Sequence, residues 1–368
     1  MQSQGQLDSR PSWGAYLASG VQGRDQTEGG PSSIAEALQK RGWTTISLDD
    51  VAFCEDEAQA IRNWEAVFAS AFQLSAEEKE ASGLYRTENG VSVGYRTDDE
   101  REFFETRVTS DSSVEPFFPN LPAYTETVLA LYRALNRIAH RVLDSVAACL
   151  GVDKQFFLDL TDVECNGVLP EVVKKDGVHR NLSSSLLRVC RYSGDDGKAD
   201  GDEGDKRNWF GAHTDSSFIT IALLSSTPGL DIVDQAENRW VCPEHQGEGA
   251  PARVVVFAGE FLQVLSKSRF KAAVHRVRNV LGTADRVSCP YLLRGRHDAV
   301  IQLRSDTYAH PGGADAVAED KMPNLDDISV KLMHKLLDLK RQKCFRDNGS
   351  AEGSWVLSAY PVPPLPED

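Results

Sequence analysis

Long apolar runs are missing from this sequence of 368 residues. None approaches the roughly 18 consecutive apolar residues that a bilayer-spanning helix needs, so no transmembrane segment is expected. Positive charge is in deficit: 40 Lys and Arg stand against 55 Asp and Glu, for a net charge of −15. Such a chain repels phosphate backbones, and no basic, aromatic-rich stretch offsets this, which argues against a nucleic-acid partner. Paired cysteines are also absent. The seven (Cys54, Cys149, Cys165, Cys190, Cys242, Cys289 and Cys344) are odd in number and include no CxxC, so neither a disulfide framework nor a zinc knuckle is expected. The N-terminus lacks the basic-then-apolar pattern of a secretory signal, and Asp8, Asp25 and Glu28 argue against a transit peptide. These features point to a reducing, cytoplasmic compartment. What is present is ordinary: 41% hydrophobic and 26% charged residues, enough for one large decorated domain or two domains.

Residues 1–32 are rich in Gly, Ser, Gln and Asp without periodicity and are expected to form a mobile tail. The spacing predicts a short helix over Ile34–Gln39, a strand over Trp43–Leu48, and a helix from Asp56 to about Phe72. Ser75-Ala-Glu-Glu78 has the form of a capping box. A long helix is predicted from about Tyr124 to Leu150, closed by Gly151. From about Leu186 short strands dominate: Leu186–Tyr192, Phe218–Leu224, Leu230–Val233, Trp240–Val241, Arg253–Phe257, His275–Val280, Val287–Leu293 and Val300–Leu303. Many short strands with turns between them indicate a sandwich or jelly roll. Ser193–Arg207 is a polar, acidic loop, read as a solvated insertion rather than a lid. A final helix is predicted from Asp326 to about Lys343, with Ile328, Leu332, Leu336 and Leu339 on one face.

Chemistry concentrates in the strand-rich half. In Gly211-Ala-His213-Thr-Asp215 the two potential ligands are two residues apart, so on a strand they share a face. His275 lies in a second strand-like run, Ala273–Val277. Two histidines and one carboxylate leave open positions on a metal, the ligand set of non-haem iron(II) oxygenases. Eleven residues after His275 comes Arg286-Val-Ser288, again with two side chains on one face. Arginine's planar fork matches a carboxylate, and serine can add a third hydrogen bond. A hairpin of His275–Val280 with Val287–Leu293 would put Arg286 one strand from the metal ligand. HxD or RxS alone is weak; the order, spacing and strand context make the combination specific.

With these residues the chain resembles the 2-oxoglutarate and iron(II)-dependent dioxygenase superfamily, in the branch of isopenicillin N synthase and the plant flavonoid and gibberellin oxidases. Further segments carry the likeness: Pro228-Gly-Leu230 followed by Trp240-Val241, Val255–Ser266, Arg269–Val277, Val91–Tyr95 and Glu102–Glu105. The resemblance implies a mainly β fold with flanking helices, a double-stranded β-helix (jelly-roll, cupin-like) core with a helical N-terminal region. It implies a division into a tail (1–32), an N-terminal helical region (33–180), the iron and 2-oxoglutarate domain (181–310) and a C-terminal helix and tail (311–368). It assigns His213, Asp215 and His275 to iron(II), and Arg286 and Ser288 to the far carboxylate of 2-oxoglutarate. Dioxygen is then the oxidant, with ascorbate a candidate reductant. The implied activity is hydroxylation or desaturation of a small organic molecule, coupled to decarboxylation of 2-oxoglutarate to succinate. The family also places a tyrosine near the co-substrate, and Tyr192 matches it. Cys190 stands where the family has asparagine, and the prolines that follow in the family are missing.

Other readings stand beside these. Tyr192 can equally be a core aromatic. Arg276 should face away from the metal as an ion-pair partner, Cys289 should point away from it, and His140 reads as a packing or surface residue. Phe103 and Phe104 default to core. An iron oxidase of the same fold that does not use 2-oxoglutarate is one alternative, and a catalytically silent binding protein another. A monomer or homodimer is expected, with no membrane partner.

Overall fold

The computed structural model describes residues 31–81, 84–86, 92–98, 101–108, 114–115, 121–161, 171–173, 179–193, 208–244, 252–279, 285–296, 299–302 and 327–329. Of the expected tail over 1–32, residues 1–30 lie outside these residues, as does the acidic loop over 194–207, while Pro31 and Ser32 belong to the first helix.

The chain begins with α1 (Pro31–Arg41), β1 (Trp43–Ser47), α2 (Glu55–Phe72) and α3 (Ala76–Ala81). The capping box at the start of α3 forms: the Glu78 backbone N–H donates to Ser75 Oγ, and the Ser75 N–H donates to the Glu78 carboxylate. Then come β2 (Leu84–Arg86), β3 (Ser92–Thr97), β4 (Arg101–Val108) and β5 (Val114–Glu115). The long helix is α4 (Pro122–Leu150), with proline in its first turn and Gly151 closing it at φ 73°. After α5 (Gln155–Leu160) and the small hairpin of β6 (Glu171–Val173) and β7 (His179–Asn181), the strand-rich half follows. It comprises β8 (Leu186–Tyr192), β9 (Asn208–His213), β10 (Ile219–Leu223), β11 (Leu230–Asp234), β12 (Arg239–Val241), β13 (Arg253–Ala258), α6 (Glu260–Leu265), β14 (His275–Arg278), β15 (Arg286–Ser288), β16 (Pro290–Leu293), β17 (Val300–Gln302) and β18 (Asp327–Ser329).

Two antiparallel sheets face each other. The larger runs β1-β13-β10-β16-β8-β4-β3-β2, with β15 beside β16 on β8 and β5 on β4; the smaller runs β12-β11-β14-β9. Helices α2 and α4 cover the outer face of the larger sheet. Strand alternation sorts the side chains between the layers. On β13, Val254, Val256 and Ala258 pack under the helices, while Val255 and Phe257 face Leu230 and Ile232 of the smaller sheet. On β4 and β8, Phe104, Leu187 and Val189 join the helices, while Phe103, Cys190 and Tyr192 meet Trp209 and Val277 across the gap. This is a double-stranded β-helix with a helical layer. Because both faces of the larger sheet are covered, its central strands β10 and β13 read as apolar runs rather than clean alternation.

Three expectations need correction. The hairpin of His275–Val280 with Val287–Leu293, on which an Arg286 one strand from His275 was conditional, does not form: β14 pairs with β9 and β11, while β15 pairs with β8 in the opposite sheet. In a sandwich of this kind the chain crosses between sheets, so strands adjacent in sequence need not pair. The final helix does not begin at Asp326, because Asp327–Ser329 pairs with Val300–Gln302 as a strand; residues 330–343 lie outside the described residues. The first half is less helical than expected, since β2, β3 and β4 extend the larger sheet, β4 being zipped along β8.

His140 sits inside α4, 6% exposed, with neither ring nitrogen hydrogen-bonded. Burial lowers its pKa from 6.5 to about 4. Between those values the unfolded chain binds a proton that the folded one does not, so stability falls as pH drops through that window, by up to ~3 kcal/mol. In urea denaturation at pH 7.5 and pH 5, His140→Leu should lose less stability on acidification than the native protein. An equal loss would show that the imidazole titrates normally.

Candidate metal centre

β9 ends at His213 and β14 begins at His275, and the two residues are directly paired across the strands. Their rings lie 4.2 Å apart between centroids. Asp215 is not on the strand, as the spacing argument assumed, but in the loop after it. That loop is held from the larger sheet. Thr220 of β10 donates from Oγ1 to Asp215 Oδ2 at 2.8 Å, and the Glu260 N–H at the start of α6 donates to the Asp215 carbonyl at 2.8 Å. Gly259 makes this packing possible: a Cβ there would stand 2.2 Å from the Ser217 carbonyl oxygen. The three side chains converge, with one ligand atom from each within 4.8 Å of the others. His213 Nε2 lies 3.9 Å from Asp215 Oδ1, and His275 Nε2 lies 3.8 Å from Asp215 Oδ2.

The donor set fits a divalent first-row metal. His213 Nδ1 lies 2.9 Å from the Gly211 carbonyl and His275 Nδ1 lies 3.2 Å from the Ala273 carbonyl. Protons on both Nδ1 atoms leave both Nε2 lone pairs for a metal, the usual orientation by outer hydrogen bonds. Phe257 packs on the His275 ring and Phe210 on the His213 ring, at 4.6 and 4.3 Å.

Arg286 and Ser288 extend from β15 on the inner face of the larger sheet, opposite Tyr192 and Cys190, while Val287 points to the helical core. The structure thus brings the arginine, the serine and the tyrosine to the gap that holds the triad, although on the other sheet. Tyr192 stacks on Trp209 at 5.7 Å. Gly229, the glycine of Pro228-Gly-Leu230, lets Arg286 pass, since a Cβ there would stand 3.0 Å from the arginine Cδ and 3.0 Å from the Arg278 carbonyl.

Three residues of this site were not singled out from sequence. Thr220 belongs to the apolar β10 and shows only as the polar member of its inner face. Arg101 becomes relevant once β4 is known to pair with β8. Glu244 carried no signal, because a glutamate after Cys242-Pro243 reads as an exposed turn residue. Its side chain is instead 1% exposed and 2.8 Å from Arg286 Nη2. It also accepts the backbone N–H groups of Ser225, Gly229 and Leu230 at 3.2, 2.8 and 2.9 Å. Arg286 Nη1 donates to the Thr227 carbonyl, and Nε has no hydrogen-bond partner. The donors left for an incoming carboxylate are therefore the remaining guanidinium N–H groups and the Ser288 and Tyr192 hydroxyls.

The residues read as bystanders fall where expected. Arg276 pairs with Asp231 at 3.2 Å and covers Trp240. Cys289 is buried in the helical core, and desolvation pushes its thiol pKa well up. Phe103 and Phe104 are both buried core residues, Phe104 under the helices and Phe103 between the sheets.

Residues 184–295 match the family model of the 2OG-Fe(II) oxygenase superfamily. A curated relative, the 2-oxoglutarate-Fe(II) type oxidoreductase hxnY of Emericella nidulans, is 26% identical over 243 residues, 66% of this chain and 60% of that protein. Gibberellin 3-beta-dioxygenase 1 of Oryza sativa is 39% identical over 82 residues, 22% of this chain and 20% of that one. The chain thus spans less than two thirds of either relative. Among solved structures, a full-length Neurospora crassa protein in complex with alpha-KG and 5-formyluracil aligns with a TM-score of 0.60 at 20% identity, over 83% of this chain and 88% of that one. The rice dioxygenase for auxin oxidation aligns at 0.55 and 17% identity, over 88% and 92%. At these identities the two structures establish the shared fold.

Glu244→Ala should destabilise the protein by about 3–5 kcal/mol, because it strands a buried guanidinium. Glu244→Ala with Arg286→Met should recover most of that loss in urea denaturation. Equal stability of single and double variants would mean the ion pair is not what Glu244 supplies.

Proposed function

We propose that this chain is a member of the 2OG-Fe(II) oxygenase superfamily, whose family model residues 184–295 match, and is an iron(II)- and 2-oxoglutarate-dependent dioxygenase that hydroxylates or desaturates a small organic molecule, coupled to decarboxylation of 2-oxoglutarate to succinate. The observation that carries this reading is the meeting of two donor sets between two sheets: the triad on the smaller sheet and its loop, and Arg286, Ser288 and Tyr192 on the larger. Bound there, iron(II) supplies the oxidising chemistry with dioxygen, and the protein supplies position and shielding.

The side chains divide the work. His213, Asp215 and His275 hold the metal, with Thr220 fixing one oxygen of the aspartate. Arg286, Ser288 and Tyr192 face the far carboxylate of the co-substrate. Phe210 and Phe257 flank the imidazoles and exclude water from that side. The division into a helical region over 33–180 and an iron domain over 181–310, with a C-terminal helix and tail over 311–368, belongs to the same proposal, as does a cytoplasmic location. No helix among the described residues is long and apolar enough to cross a membrane. Ascorbate is kept as the candidate reductant.

One observation favours a second reading. A glutamate carboxylate already lies on Arg286, where a co-substrate carboxylate would arrive. An iron oxidase that does not use 2-oxoglutarate accommodates this directly. Succinate formation separates the two.

His213→Ala and Asp215→Ala should each lose iron(II) binding and succinate formation while keeping a native circular-dichroism spectrum. Arg286→Ala should retain iron but require at least about tenfold more 2-oxoglutarate for half-maximal succinate formation. Full activity in either ligand variant would overturn the metal assignment, and an unchanged 2-oxoglutarate requirement would overturn the clamp.

A further inference from the structure

Arg101, Tyr192 and Arg286 form one row across three strands. Arg101 of β4 is opposite Tyr192 of β8, which on its other side is opposite Arg286 of β15. Arg101 and Tyr192 are thus cross-strand neighbours on the inner face of the larger sheet, and the charge of the guanidinium acts on the Tyr192 hydroxyl. Its guanidinium carbon lies 3.6 Å from the centroid of the Phe210 ring, and that ring lies 4.3 Å from the ring of His213. A single aromatic ring thus separates this cation from a metal ligand. The Arg101 side chain is 9% exposed, and its ionic partner, Asp98 at 3.1 Å, is 45% exposed and so solvated. An ion pair with one partner in water is well screened.

The charges in this row matter for an anionic ligand. Arg286 is matched by Glu244, so that pair is neutral as a unit. A second carboxylate arriving at Arg286 meets no net positive charge there and has Glu244 beside it. Arg101 is the next cation in the row. A neutral tyrosine hydroxyl has a proton to give, and the field of the neighbouring cation strengthens it as a donor. Burial raises the Tyr192 pKa to about 12, so the hydroxyl keeps that proton at neutral pH.

We propose that Arg101 is a positioning residue for the co-substrate: acting through Tyr192, it supplies the positive charge that the Arg286–Glu244 pair lacks and aims the tyrosine hydroxyl at the far carboxylate of 2-oxoglutarate. The inference rests on the reading of the site as a 2-oxoglutarate site. It assigns a residue of the N-terminal half to the pocket of the strand-rich half.

The test is equilibrium binding by calorimetry to the full chain loaded with Mn(II), without turnover. Two probes are compared: 2-oxoglutarate, and 2-oxobutyrate, which keeps the keto acid end but lacks the far carboxylate. Arg101→Met keeps an apolar stem on Phe210 and removes the charge. It should weaken 2-oxoglutarate by about tenfold or more, while leaving 2-oxobutyrate, Mn(II) affinity and the thermal midpoint close to native. In a Tyr192→Phe background the same substitution should cost much less, because the relay is already cut. Unchanged 2-oxoglutarate affinity in Arg101→Met would overturn the inference, as would equal weakening of both probes, which marks a general structural role. If the native Mn(II) protein binds no 2-oxoglutarate, the parent reading falls and takes this inference with it.

Discussion

The register between β9 and β14 sets His213 opposite His275, and the rest of the site is arranged around that pairing. Neighbouring strands bring two imidazoles to the spacing a metal needs without any special loop. The third side chain of the cluster, Asp215, comes from the chain leaving β9, and the larger sheet steadies it through Thr220 and the start of α6. Each sheet thus contributes to one small volume, and the packing between the sheets fixes its dimensions. Val255 and Phe257 on one side and Leu230 and Ile232 on the other close the gap tightly. Side chains in such a core cannot shift independently, which preorganises the three side chains of the cluster.

The cost of this arrangement is carried by buried charge. Arg286 is 2% exposed and must be compensated. Glu244 does so with four hydrogen-bond donors converging on its carboxylate, three of them from the turn that includes Pro228-Gly-Leu230. A buried pair of this kind contributes little net stability over an apolar substitute, but losing one partner is expensive. Its value lies in holding the guanidinium in one orientation. The same pairing lowers the positive charge that the arginine offers, which makes the neighbouring Arg101 and Tyr192 relevant to how an anion is held.

Much of this was legible in the sequence, and for a physical reason. The triad and the Arg286–Ser288 pair use residue types whose chemistry restricts them to few roles, at separations that short strands can satisfy. The helix from Pro122 to Leu150 carried an apolar period long enough to read directly. The architecture around the site was less legible. Sequence neighbours β14 and β15 lie in different sheets, and nothing local in Leu281–Asp285 says whether the chain turns back or crosses over. Asp327–Ser329 carries the start of a helical period but pairs as a strand, so tertiary pairing overrode propensity there. Glu244 was hidden for a different reason: its role depends on a contact with a residue 42 positions away. Arg101 was hidden because β4 joins the sheet by pairing with β8 across more than eighty residues of sequence.

The central claim is that one gap between two sheets takes both a metal and 2-oxoglutarate. The most direct measurement is an anaerobic titration of the iron(II)-loaded protein with 2-oxoglutarate, followed by visible absorption. The account predicts a weak, saturable charge-transfer band that requires both components and is absent from His275→Ala. Confirmed iron binding with no band at any 2-oxoglutarate concentration would contradict it.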